Sequence, residues 1–185
     1  MQKEVLADTE RRMKKSIASL EQNYTSVRTG KASVQMLDGI EVDYYGTATP
    51  LNQVGSISAP EAQLLVVQPW EKAIVGEVVK AIQKSDLGLN PQADGQVVRI
   101  PVPPLTEERR RDLVKVIKKM AEEAKVAIRN IRRDANDALK KLEKEKKLSE
   151  DLRKDGEENV QTLTDTYIER CDEVALEKES EVMEI

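Results

Sequence analysis

The chain contains no histidine and no phenylalanine, and four tyrosines and one tryptophan, 3% of its residues, are its only aromatics. Without imidazole, His-based acid–base catalysis and the usual His-containing zinc sites are excluded. Cys171 is the sole cysteine, so no internal disulfide can form and no metal site or cofactor is expected. Apolar runs are short as well. Leu64 to Val67 is the longest candidate, far below the roughly 20 residues of a membrane-spanning helix. Met1 to Glu10 is polar and partly acidic, matching neither the apolar centre of a secretory signal nor the acid-poor, Arg-rich pattern of a transit peptide. These gaps predict a protein of a reducing, soluble compartment with no membrane partner.

What the sequence has in abundance is charge, 35% of 185 residues, and it is unevenly placed. The formal net charge of −4 conceals balances of +2 over residues 1–30, −3 over 31–104, +6 over 105–148 and −9 over 149–185. A uniform acidic surface would argue against a nucleic-acid partner, but this segregation leaves room for one basic face.

Three segments show helical spacing. Leu6, Met13, Ile17, Leu20, Tyr24 and Val27 recur every three, four or seven residues, and this first helix is expected to end at Thr29-Gly30-Lys31. A second seam runs through Leu113, Ile117, Met120, Ala124, Ala127, Ile131, Ala138 and Leu142, with neither Gly nor Pro from Thr106 to Leu148. That helix would be about 60 Å long. Ser149, followed by Glu150 and Asp151, has the character of an N-cap for a third seam through Leu152, Val160, Leu163, Tyr167, Cys171 and Val174, with Gly156 its weak point. Residues 31–104 hold all seven prolines and read differently. Ile40, Val42 and Tyr44 alternate as a half-buried strand, Leu64 to Val67 suits a buried one, and Val98, Ile100 and Val102 alternate after an Asp94-Gly95 turn. A helix is expected over Glu71 to Lys84. The chain is therefore an elongated α-helical bundle (1–30 and 105–185) with a small α/β or β-rich insert (31–104). Gly30 and Lys31 on one crossing and Pro103 and Pro104 on the other make the joint a candidate restricted hinge, although such residues also simply end secondary structure.

Catalytic chemistry finds little support. Cys171 lies on an apolar seam, which suits core packing better than nucleophilic attack. Gly30-Lys31-Ala32-Ser33 lacks the first glycine of a phosphate-binding loop, Thr25 standing in its place, and has Ala32 where Ser or Thr should follow the lysine. Pairs such as Glu107-Glu108 and Glu157-Glu158 read as solvated helix faces. No enzymatic activity is expected. The informative feature is the second helix: at 100° per residue, Lys115, Lys118, Lys125, Arg129, Arg132, Arg133, Lys140, Lys144 and Lys147 fall within about 60° of Arg111, opposite the expected seam. Glu108, Glu122 and Glu143 are the acids among them. Arg129, Arg132 and Arg133 crowd into five residues, and arginine both chelates phosphate and stacks on exposed bases. RNA is favoured over DNA, since no recognition-helix turn or zinc finger is present.

Several stretches, in order, carry a resemblance: Ser26-Val-Arg-Thr-Gly-Lys-Ala-Ser33, Leu37-Asp-Gly-Ile-Glu-Val-Asp-Tyr-Tyr-Gly-Thr47, Ser85-Asp-Leu-Gly-Leu-Asn-Pro91, Ile100-Pro-Val-Pro-Pro-Leu-Thr-Glu-Glu-Arg-Arg110 and Val126-Ala-Ile-Arg-Asn-Ile-Arg-Arg-Asp-Ala-Asn136. Over essentially its whole length the chain resembles ribosome recycling factors. The resemblance implies an α+β fold: an L-shaped, elongated three-helix bundle with an inserted β/α/β domain on a two-stranded hinge. It also implies a monomer of the bacterial cytoplasm, or of an organelle stroma or matrix if a presequence was removed. Such a protein binds the post-termination ribosome and, with the GTPase elongation factor G, splits the subunits and releases messenger and transfer RNA. Arginines matching Arg110, Arg129 and Arg132 are associated in the family with large-subunit ribosomal RNA. The helical wheel adds Arg133, Lys118 and Lys125 to that surface, and places Arg110 about 100° from Arg111, off the ridge. Lys31 stands where many family members have arginine. The competing expectation from the residues is a helical scaffold or adaptor docking a protein partner.

Overall fold

Buried apolar side chains recur at helical spacing in three segments, and these become the long helices of one of two units in the computed structural model, which describes residues 1–184. That unit comprises residues 1–29 and the chain from 107 onward, and the second comprises residues 30–106. Helix α1 spans Gln2–Thr25, and its buried face carries Thr9, Met13, Ile17, Leu20 and Tyr24. It stops four residues before the expected end. The Thr25 and Ser26 hydroxyls donate back to the carbonyls of Gln22 and Asn23, at 2.6 and 2.7 Å, competing with continuation of the helix.

Two further helices complete the bundle, α4 over Glu107–Lys144 and α5 over Glu150–Met183. Helix α4 ends before Leu148 although no Gly or Pro interrupts it. Lys146 adopts φ +58°, Lys147 N–H donates to Leu142 O and Lys146 N–H to Glu143 O, both at 2.9 Å, so a lysine occupies the left-handed position of a Schellman cap. Ser149 then caps α5 as expected, its hydroxyl accepting from Leu152 N–H at 3.2 Å. Two expectations for α5 fail. Leu152 is exposed, and Gly156 is a point of close approach: a Cβ there would lie 2.9 Å from Leu139 Cδ1 of α4. The seam runs instead through Gly156, Val160, Thr164, Cys171, Val174, Ala175 and Val182. Thr164 is tolerated in it because its hydroxyl donates to Val160 O at 2.8 Å.

The second unit holds six short strands: β1 (Glu41–Tyr44), β2 (Thr47–Pro50), β3 (Gly55–Glu61), β4 (Leu64–Pro69), β5 (Gln92–Asp94) and β6 (Val97–Pro101). They form a two-stranded hairpin, β1-β2, and a four-stranded antiparallel sheet in the order β3-β4-β6-β5. A single helical turn, α2 (Leu51–Val54), and helix α3 (Val75–Lys84), entered through a 3-10 turn at Lys72–Ile74, accompany them. Helix α3 therefore begins four residues later than expected. The core gathers Val42, Leu51, Leu65, Val67, Ile74, Val78, Ile82, Val98 and Ile100. Val98, Ile100 and Val102 are buried as their alternation predicts, and Gly95, at φ +65°, makes the β5–β6 turn. The run Leu64 to Val67 proves one-sided: Leu65 and Val67 are buried and Leu64 and Val66 only partly so, because one sheet face meets α3. Pro60 sits on edge strand β3, where a missing donor is tolerated.

The unit's ends are tied together. Ala32 N–H donates to Ala62 O at 2.6 Å and Val102 N–H to Gln63 O at 2.9 Å, so entry and exit segments grip adjacent residues of one turn. Gly30, at φ +78°, packs so closely that a Cβ would lie 3.1 Å from Leu105 Cγ. Of the candidate hinge residues, Gly30 and Lys31 precede the first tie, and Pro103 and Pro104 follow the second.

Candidate nucleic-acid interface

Helix α4 displays its cations because it packs on both α1 and α5 along one stripe and leaves the rest to solvent. The buried residues are Leu113, Ile117, Ala121, Ile128, Ile131, Ala135 and Leu139. Their mean direction is about 40° round the helix from the seam read in the sequence, which had enlisted Ala124, Ala127 and Ala138. This rotation redistributes the ridge. Lys115, Arg133 and Lys140 point directly away from the core, whereas Lys125 and Arg132 move to the flank beside α5.

Each expected contact residue has its own circumstances. The Lys125 ammonium is ion-paired with Asp172 of α5, and its side chain is only 18% exposed, so it clasps two helices. Arg129, 37% exposed, holds Glu122 through Nη1 at 3.0 Å. Arg133 is exposed and donates to Asn130 Oδ1 at 3.3 Å, a neutral partner that leaves its charge uncompensated. Arg132 is half-buried and Lys118 exposed, and among the described residues neither forms an ion pair. Two of the acids that interrupt the ridge are engaged: Glu122 by Arg129, and Glu143 by Arg153 of α5. A cationic strip thus remains in which Lys118, Arg132 and Arg133 keep their charge available, suited to phosphate oxygens.

Arg110 behaves differently. Its Nη1 donates to the carbonyl oxygen of Glu184 at 2.7 Å, just past the C-terminal end of α5. The last turn of α5 carries no basic residue of its own, so Arg110 supplies the cation that the negative end of that helix dipole favours. The signal was present in the sequence, since Arg110 is in line with the buried stripe and a charge so placed needs a partner at the bundle's end. Another tie that periodicity did not disclose is Arg12 of α1 to Asp134 of α4, at 2.9 Å on the opposite flank.

Cys171 is fully buried, and burial first, with Asp172 beside it, pushes its thiol up to about 11 against the counter-pull of Lys125. A thiol in this setting is a packing group rather than a nucleophile. Among the described residues no cluster of acidic and cysteine side chains is arranged to hold a metal, and no helix is long and apolar enough to cross a membrane.

Comparison with known proteins bears directly on this arrangement. The family model described as ribosome recycling factor matches residues 20–183. The chain is 57% identical over 185 residues to the ribosome-recycling factor of Halalkalibacterium halodurans, with 100% of both chains covered. Against that of Nitratidesulfovibrio vulgaris it is 55% identical over 181 residues, covering 98% of this chain and 97% of the relative. A solution structure of the ribosome recycling factor is similar with a TM-score of 0.76 and 39% identity, covering 100% of this chain and 98% of that one. A second similar chain, at TM-score 0.62 and 48% identity with 99% of each covered, comes from models for the T. thermophilus ribosome recycling factor and the E. coli elongation factor G bound to the E. coli post-termination complex. With its mixed helical and sheet architecture matched end to end and more than half its residues shared with bacterial relatives, the chain belongs to the ribosome recycling factor family.

Proposed function

We propose that this chain recycles ribosomes after termination. It binds the post-termination ribosome through the outer face of α4 and, with elongation factor G, separates the subunits so that messenger and transfer RNA leave. The observation that carries the interface is the uncompensated charge of Lys118, Arg132 and Arg133, spread from the outer face of α4 to its flank, in a chain of this family. Arg129 adds a guanidinium that can exchange Glu122 for phosphate, while Arg110 and Lys125 act by holding α5 in place. The chain itself makes and breaks no bonds. Its single thiol is buried and protonated, and the work is supplied by the GTPase. Gly30, Lys31, Pro103 and Pro104 serve as the hinge through which the insert responds, since all four lie between the hydrogen-bonded ties of the insert and the long helices α1 and α4. The protein acts as a monomer in the bacterial cytoplasm, in keeping with its bacterial relatives.

The test is light scattering from post-termination ribosomes. Scattering should fall only when the chain, elongation factor G and GTP are all present. Binding of the chain alone to vacant ribosomes should weaken steeply between low and high salt, because each neutralised phosphate releases counterions. Intact ribosomes under all conditions would refute recycling, and salt-independent binding would refute the cationic interface. A scaffold role has only the helical seams to recommend it.

A further inference from the structure

Helix α4 leaves two large apolar side chains open to solvent, Val116 and Val126, 41% and 46% exposed. Val116 falls in the same direction round the helix as Asp134, which reaches Arg12 of α1, so it lies on the flank beside that helix. Val126 faces elsewhere. At 3.6 residues per turn it lies within about 10° of the direction opposite the buried stripe, the part of the helix surface farthest from the core. Valine is β-branched and a poorer helix former than alanine, and an exposed valine in mid-helix adds nothing to the packing, so folding alone does not call for it. The side chains around it are polar and hold one another. Glu122 and Arg129, one turn before and one turn after, pair at 3.0 Å and lie about 40–60° to one side. Asn130 lies about 40° to the other side and accepts from Arg133 Nη1 at 3.3 Å through Oδ1. Residues three, four and seven apart share a helix face, so these four side chains frame Val126.

The surroundings indicate what covers it. Lys115, Lys119 and Arg133 are exposed within about 20° of the same direction. Cations about an apolar centre repel a basic protein surface and attract phosphate. RNA presents both chemistries in every repeat: charged phosphates at the rim and, between them, uncharged ribose and base edges that lie open in the wide, shallow minor groove of an A-form helix. With its oxygen engaged by Arg133, Asn130 offers the amide nitrogen, a donor that a ribose 2′-hydroxyl can accept.

We infer that Val126 is an apolar seat for a ribose or base edge of ribosomal RNA, framed by the cations that hold the neighbouring phosphates and by the Asn130 amide. This rests on the cationic interface of the recycling reading, and it divides that interface into a part that salt weakens and a part that it does not. The test compares the wild-type chain with Val126→Ala and Arg133→Gln by pelleting with vacant ribosomes over a series of salt concentrations. Val126→Ala should weaken binding about fivefold to tenfold, as for withdrawing one or two carbons from an interface. The factor should be the same at every salt concentration, because the salt slope counts phosphate contacts and none is lost. Arg133→Gln should instead flatten the slope by about one. Alanine is the better helix former, so Val126→Ala should melt no lower than wild type. Hydroxyl-radical footprinting of ribosomal RNA at saturating protein should show ribose protections lost in the Val126→Ala complex while the rest of the footprint stays. A flattened slope like that of Arg133→Gln overturns the seat, since it makes Val126 a support for the cations. Weakened binding with an unchanged RNA footprint also overturns it and assigns the contact to a ribosomal protein. Salt-independent binding by the wild-type chain sinks the cationic interface, and the seat with it. A steep wild-type slope with Val126→Ala indistinguishable from wild type sinks the seat alone.

Discussion

The phenol of Tyr24 on α1 donates a hydrogen bond to the backbone carbonyl of Ile117 on α4, 2.8 Å away and out of reach of solvent. It is a polar tie inside an apolar seam, between two residues whose side chains also pack there. Tyr24→Phe keeps the ring and removes the donor, while the Ile117 carbonyl remains in the α4 hydrogen-bond ladder. The expected loss is about 1 kcal/mol of stability, read as a lower urea midpoint with unchanged slope.

The contrast between Arg132 and Lys125 separates binding from folding. Arg132→Glu should abolish ribosome pelleting at moderate salt and leave stability within about 0.5 kcal/mol of wild type, since Arg132 forms no ion pair among the described residues. Lys125→Glu places a second carboxylate against Asp172 and should lower the melting temperature measurably. An Arg132→Glu chain that unfolds would make Arg132 a structural residue.

Gly156→Ala inverts the usual rule for exposed helices. Alanine gains about 1 kcal/mol in helix propensity, but its methyl group would be driven to within 2.9 Å of Leu139 Cδ1. Overpacking of this kind costs about 1–3 kcal/mol, so net destabilisation is expected, and calorimetry of the variant gives the sign directly.

Lys146→Gly should act the other way. The left-handed backbone at φ +58° costs an L residue about 1 kcal/mol that glycine escapes. The variant should be more stable by somewhat under 1 kcal/mol, once the greater flexibility of unfolded glycine is counted, with the shift visible in chemical denaturation.

All four phenols are held above their ordinary value. Burial raises Tyr24 to about 12 and also raises Tyr167, which donates to Glu10 as well, whereas acceptance by Glu71 is the leading cause for Tyr44 and Tyr45. A raised folded-state value means that the stabilisation is complete below pH 10, where unfolded tyrosine titrates, and is lost as pH climbs through the folded values. Glu71 is lowered by the same two hydroxyls, so its contribution is present above about pH 4.5 and fades as acid protonates it. Tyrosinate absorbance should therefore appear later in native protein than in urea-unfolded protein, with Tyr24 last. A native phenol titrating at pH 10 would contradict these hydrogen bonds.

How far the sequence discloses this structure depends on whether a residue's role follows from its own chemistry or from its neighbours. Met13, Ile17, Leu20, Ile117 and Val160 announce their burial by spacing, and Ser149 announces its cap. Alanine does not declare a face: Ala121 and Ala135 are buried while Ala124, Ala127 and Ala138 are only partly so, and that ambiguity accounts for the misplaced seam. Strands β2, β3 and β5 escape notice because a hairpin arm or sheet edge with mostly exposed side chains has no alternation to read. Gly156 looks like a defect until Leu139 is seen against it. The cations of α4 are legible as a group, but their division into free and committed members depends on Glu122, Asp172 and Glu184, which reach them from another turn or another helix.

The meeting of Gly30 with Leu105 has a kinetic consequence. To an unfolded chain, bringing α1 to α4 means closing a loop of some seventy-five residues, but once the intervening unit has formed, its two ends already lie side by side. The remaining gap is a few residues wide, and the closure entropy falls by about 2–3 kcal/mol. The interruption thus works as a staple made of folded protein, turning a distant pairing into a nearly local one, provided that the insert matures first.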